Sequence, residues 1–175
     1  MTATNSTEAK QAIKGGAAAG LIAGAVLTVF LMALVLIKGG DVWSNVFKGA
    51  AAPFVGAAAT RPGFDAGPVL LGALVHFAIS IGWGIAFGLL VYGLSKPMTV
   101  LASLAFGIVV WLGMYYVVLP LAGLGDMARE SPLSSAIMTH LVFGLGLGVG
   151  FLPFQRRKYI ARRRIDHGEP AHMPM

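Results

Sequence analysis

The chain has no cysteine. That excludes disulfides, thiolate metal sites, iron–sulfur clusters and c-type haem attachment. Charge is scarce as well. Only 11% of the residues are Asp, Glu, Lys or Arg, against about 25% in an ordinary soluble domain. Familiar catalytic signatures are also missing. There is no G-x-x-x-x-G-K-[ST] loop to cradle phosphates and no H-E-x-x-H pair to bind zinc. A serine hydrolase needs a base beside its serine and a carboxylate to orient that base. Ser80 lies four residues from His76, but no Asp or Glu lies inside any apolar run. The chain alone is therefore not expected to be an enzyme.

What is present is apolar. Hydrophobic residues make up 57% of the 175 positions, more than a soluble fold of that size can hide, so lipid is the natural solvent for the excess. Four apolar runs cover about residues 16–37, 69–94, 98–119 and 133–154. Each has roughly the 20 residues needed to cross about 30 Å of hydrocarbon. The expected fold is all-α: a polytopic membrane protein with four transmembrane helices in a domain over 15–155. The first run is longer than a signal-peptide core, and Lys38-Gly39-Gly40-Asp41 is a poor cleavage site, so it reads as a retained helix.

Between and beyond these spans the pattern changes. Residues 1–14 carry Glu8, Lys10 and Lys14 and read as a polar, disordered or interfacial tail. In 41–60, Trp43, Phe47 and Ala51 recur at helical spacing among Asp41, Asn45 and Lys48. This predicts an amphipathic interfacial helix, bent or stopped at Pro53. A re-entrant segment is the alternative, because 50–59 is apolar. The loop residues Asp126, Arg129 and Glu130 read as solvated helix caps, with a polar site as the alternative. The tail over 156–175 opens with Arg156, Arg157, Lys158, Arg162, Arg163 and Arg164. Directly after an apolar span, such a run anchors the helix end on anionic lipid headgroups, at roughly 1 kcal/mol per basic residue. It is not read as a nucleic-acid patch.

Basic residues also set the orientation. With both termini and the Lys96 turn in the cytoplasm, that side holds nine of the thirteen Lys and Arg residues, and Lys38, Lys48, Arg61 and Arg129 fall on the other. The positive-inside rule favours this arrangement.

The 24 glycines are about twice the usual share. Within the spans they fall on stripes of small residues: Gly16, Gly20, Gly24 and Thr28; Ser80, Gly84 and Gly88; Ser103 and Gly107; Gly144 and Gly148. Small residues at four-residue spacing let helix backbones approach closely. Gly146 and Gly150 give the fourth span a second small face, which suits a central position or a contact with another subunit, in a homo-oligomer or with other membrane proteins. A weak internal repeat aligns His76, Ser80, Gly84 and Phe87 with His140, Gly144, Gly148 and Phe151.

His76 and His140 are the ionisable groups placed deep in the spans, each about 10 Å below the outer boundary. Such groups usually face the bundle interior. Three readings stay open. Each histidine forms an interhelical hydrogen bond; the pair ligates a b-type haem; or the pair forms a proton, ion or polar-ligand site with Ser80, Met32, Met114 and Tyr115. At the level of the whole chain, two functions compete. One is a non-catalytic scaffold or accessory subunit of a membrane assembly, holding a haem or lipid. The other is a small oligomeric transporter or channel with a histidine-based site.

Three stretches, Gly20-Leu-Ile-Ala-Gly24, Trp111-Leu-Gly-Met114 and His140-Leu-Val-Phe-Gly144-Leu-Gly-Leu-Gly148, give the chain its resemblance to small, uncharacterised bacterial inner-membrane proteins of the YagU-like type. The resemblance implies a multi-pass fold in a bacterial inner membrane and no established activity.

Overall fold

In a computed structural model, residues 3–155 are described. They are helical, and no strand occurs among them. The four long helices are α1 (Ala3–Ile37), α2 (Ala66–Val91), α3 (Lys96–Gly113) and α4 (Leu133–Phe151). α3 runs on through a π-helical turn, Met114–Val118, into Leu119–Leu121. All four are long and apolar enough to cross a membrane. The basic run from Arg156 to Arg164 lies outside the described residues.

Helix ends follow local chemistry. α1 stops where Gly39 takes a positive φ of 70° and the Gly40 N–H reaches back to the Val35 carbonyl at 2.9 Å. Gly123 ends the α3 continuation the same way, with Leu124 N–H donating to Leu119 O at 2.8 Å. These are Schellman stops, which satisfy carbonyls left over at a helix end. α3 begins at Ser95, with Pro97 in its first turn, where a missing N–H costs nothing.

The first helix begins well before the apolar run. Residues expected as a loose tail extend α1 back to Ala3. The extension packs: Ala12 is buried, and a Cβ built on Gly88 would meet the Ala12 carbonyl. Contact with α2, more than local propensity, holds the added turns in place.

The helices stand in the order α2, α1, α4, α3, and α2 and α3 touch only weakly. Small residues make the tight crossings. At Gly16 and Gly20, an added Cβ would land on the carbonyls of Gly84 and Ser80 of α2. At Gly107 and Gly144 it would land on the carbonyls of His140 and Ser103. The α1–α2 and α3–α4 pairs thus cross by the same device, and Ser80 and Gly144, which the internal repeat aligns, each sit at one of the crossings. α4 uses both of its small faces within the chain: Gly144 and Gly148 meet α3, and Gly146 and Gly150 meet Ala23 and Ala19 of α1. Below the middle, Phe87, Phe106, Phe143, Leu147 and Phe151 fill the core. Phe87 packs against Phe106 and Phe151 at centroid distances of 5.4 and 5.9 Å.

The 41–60 stretch is not one amphipathic helix. It is a π-helical turn (Trp43–Lys48), a 3₁₀ turn (Gly49–Ala51), an α turn (Ala52–Val55) and a second 3₁₀ turn (Gly56–Ala59). Pro53 sits in the first turn of the α piece instead of ending a helix. The stretch leans on α2, and a Cβ on Gly72 would overlap the Phe47 carbonyl. Lys48 and Ala51 are completely buried. The Lys48 Nζ donates to the Arg61 and Gly63 carbonyls, the latter at 3.1 Å. Tertiary docking, not helical periodicity, shapes this segment.

Asp41 ties the same loop. Its carboxylate accepts from the Ser44 N–H at 2.8 Å, the Ser44 hydroxyl at 2.9 Å and the Gly63 N–H at 3.2 Å. The Ser44 N–H is the chief cause holding its pKa below the ordinary 3.8. The folded chain therefore holds this proton less readily than the unfolded chain. The stabilisation is fully present above pH 3.8 and is lost as pH falls through the lowered value. Protection of the Ser44 and Gly63 amides, taken relative to their intrinsic exchange at each pH, is expected to fall on acidification over that window, and Asp41→Asn should remove that fall. Protection in Asp41→Asn that falls with pH as in the native chain would contradict this.

Candidate functional site

In the upper half of the bundle, at the end carrying Ile37, Ala66 and Leu133, a cavity of about 130 Å³ lies where α2 and α3 fail to close. Leu27 of α1 and Ala50 of the broken segment form one wall. α2 contributes His76, Ile79, Ser80 and Trp83; α3 contributes Val110 and Met114; α4 contributes His140 and Phe143. The structure thus brings His76, His140, Ser80 and Met114 to one cavity. Met32 does not line it. Tyr115 stands beside it, its ring edge-on to His140 at 5.7 Å and 79°.

The two histidines are bound differently. His76 Nε2 lies 3.1 Å from the Gly24 carbonyl and 3.2 Å from Thr28 Oγ1, both on α1. A carbonyl can only accept, so Nε2 is the donor, and in the neutral ring Nδ1 keeps its lone pair. His140 Nδ1 lies 2.8 Å from the Ala136 carbonyl, one turn back on its own helix. By the same logic Nδ1 is the donor, and Nε2 keeps the lone pair. Each ring is therefore held by one nitrogen and has a bare acceptor on the other. Among the described residues, no carboxylate lines the cavity. His76→α1 is an interhelical hydrogen bond of the kind worth about 0.6–2 kcal/mol, whereas His140 bonds within its helix. Thr28→Val should cost about 1 kcal/mol in this setting. It would be read as a fall in the melting temperature of the purified protein, and an unchanged value would discount the bond.

The residues present do not fit a b-type haem. A cavity of 130 Å³ is well below the roughly 300 Å³ at which ligand pockets usually begin. His76 turns its protonated Nε2 toward α1, away from an iron held between α2 and α4. The expectation of haem ligation by His76 and His140 draws no support from that geometry.

A second cavity, of about 410 Å³, lies above the first. It is bounded by Trp111, Tyr115, Tyr116 and Pro120 on the α3 side and by Leu133 and Ala136 of α4. The short helix Gly125–Glu130 covers it and brings Arg129 to the wall. Arg129 pairs with Asp126 on the exposed side. Tyr115 belongs to this wall and also touches His140. The Trp111 Nε1 is buried and has no acceptor among the described residues. Below the histidines, Trp83 and Phe106 meet at 6.0 Å and join the packed phenylalanines, which close the lower half.

Sequence reasoning located the histidines but missed Lys48, which looked like a solvated interfacial charge. It also missed Trp111 and Tyr116 as cavity walls, though the aromatic run at the end of the third span was a usable signal.

Among known families, the one described as "Family of unknown function (DUF6789)" matches residues 10–161. No curated protein and no solved structure matches the chain.

Proposed function

Because the chain belongs to the DUF6789 family, whose function is unknown, its own geometry is the guide, and we propose that it is a non-catalytic, multi-pass component of a bacterial inner membrane. In this reading both termini are cytoplasmic, and the chain assembles with further copies or with other membrane subunits. Inside the bundle, His76 and His140 hold a small hydrogen-bond donor, such as ordered water, at their bare ring nitrogens. One observation carries the reading: two imidazoles share a small cavity that has no carboxylate among its described lining residues and is closed below by aromatic rings. That arrangement suits a structural polar site better than a reaction centre, which needs a paired acid and base. The four apolar helices, the basic-residue asymmetry and the YagU-like resemblance support the location. The exposed apolar side chains of α1 and α3, among them Val29, Leu36, Leu101 and Val109, support contact with lipid or another subunit.

The test is gentle purification from native membranes with mass analysis of what accompanies the chain. Stoichiometric partners or a defined homo-oligomer is the expected result. A single unaccompanied chain at every concentration would overturn it. One observation favours the second reading, a small transporter or channel: Tyr115 lines the upper cavity and packs edge-on against His140. Flux into liposomes containing this chain alone, abolished by His140→Ala, would select that reading.

A further inference from the structure

The upper cavity is a separate matter from the histidines, and its walls have a consistent chemistry. At 410 Å³ it falls within the roughly 300–1,000 Å³ of small-molecule sites. From Pro120 down to Trp111 it follows about 13 Å of α3, so it is elongated along the bundle axis. The lower part is apolar and aromatic, with Trp111, Tyr115 and Ala136 on its walls. Among the described residues of the wall, the upper part holds the one charged side chain, Arg129, and none is a carboxylate. Arg129 spends one N–H on Asp126, and a guanidinium has five. A molecule that fits has a negative head at the top and a slender apolar body below. We propose that this cavity binds a single-chain amphiphile with an anionic head, the head on Arg129 and the chain running down between α3 and α4 to Trp111.

Two further features agree. Buried N–H groups are rarely left without an acceptor, and the Trp111 Nε1 in this wall has none. That nitrogen is shut off from solvent as the ring stands, so meeting a ligand requires the indole to turn. The Asp126 carboxylate, on the far side of Arg129, competes with an anionic head for the same guanidinium. Removing it should therefore strengthen binding.

The test uses the full chain in phosphatidylcholine nanodiscs and a photoreactive dodecanoate carrying a diazirine near the chain end, with labelled residues mapped by mass spectrometry. Labelling is expected on the walls between Trp111 and Leu133, competed by unlabelled dodecanoate and by dodecyl phosphate but not by dodecyltrimethylammonium. Arg129→Gln, at an exposed position that leaves the core untouched, should weaken labelling about tenfold. Asp126→Asn should strengthen it. Labelling spread evenly over the lipid-facing sides of α1 and α2 would overturn the proposal. So would equal competition by the cationic amphiphile, or labelling undiminished in Arg129→Gln.

Discussion

Gly84→Leu is expected to leave no folded protein, while Gly82→Leu, two residues earlier on the same helix, is expected to leave it intact. At Gly84 even a methyl group would meet the Gly16 carbonyl and the Gly20 backbone. Neither neighbour is the end of a flexible side chain, so nothing yields locally and the α1–α2 crossing must open. Overpacking usually costs about 1–3 kcal/mol. Here it also removes the close backbone contact along Gly16 and Gly20 that substitutes for hydrophobic pressure between membrane helices. Gly82 faces outward with no atom within 4 Å of an added Cβ, so the same substitution shifts stability by no more than about 1 kcal/mol. Heating the detergent-purified variants and following the monodisperse fraction compares them directly. A Gly84→Leu protein that melts within a few degrees of the native chain would show that the crossing is not the main support.

Lys48→Ala is expected to release the 41–65 segment from α2 while the four long helices remain. The lysine is fully buried and donates to two carbonyls of the Arg61–Gly63 turn. Losing those charge-assisted bonds and leaving their acceptors dry should cost about 3–5 kcal/mol locally. Hydrogen exchange of amides over 41–65 should then quicken about a hundredfold or more, with α4 amides unaffected. Lys48→Met keeps most of the apolar stem and loses only the ammonium, so an intermediate effect is expected. If protection over 41–65 survives in Lys48→Ala, the turn is held by packing of Trp43 against Phe47 and Phe64 instead.

The contrast between these two sites shows where sequence suffices. Composition and run length reveal the four long helices, because a 20-residue apolar run has few other fates. The glycine stripes also tell where helices approach: Gly16, Gly20, Gly84, Gly107 and Gly144 all meet backbone. The second small face of α4 left two options, and the chain takes the central one, with Gly146 and Gly150 against α1. Helix order is a different kind of information. Nothing in a stripe says which other stripe it meets, so His76 could be assigned to an interior face but not to Thr28 and Gly24 of α1. The haem reading depends on the same information, since it needs α2 and α4 to face each other with room between them. The 41–60 segment was least legible. Its alanines and glycines tolerate almost any tight turn, and its course depends on Gly72 and Lys48, whose roles appear only after docking.

The placement of α1 between α2 and α4 bears on how the molecule is built during synthesis. α1 is synthesised before both of its neighbours, and one of them, α4, is encoded more than a hundred residues later. Until α4 enters, the flank of α1 that includes Ala19 and Ala23 lacks the glycines it packs against. The nascent chain therefore passes through a stage in which a half-made product offers a narrow, glycine-edged strip to whatever insertase or chaperone stands beside it. Such late, long-range closure is the slow step in chains of this kind.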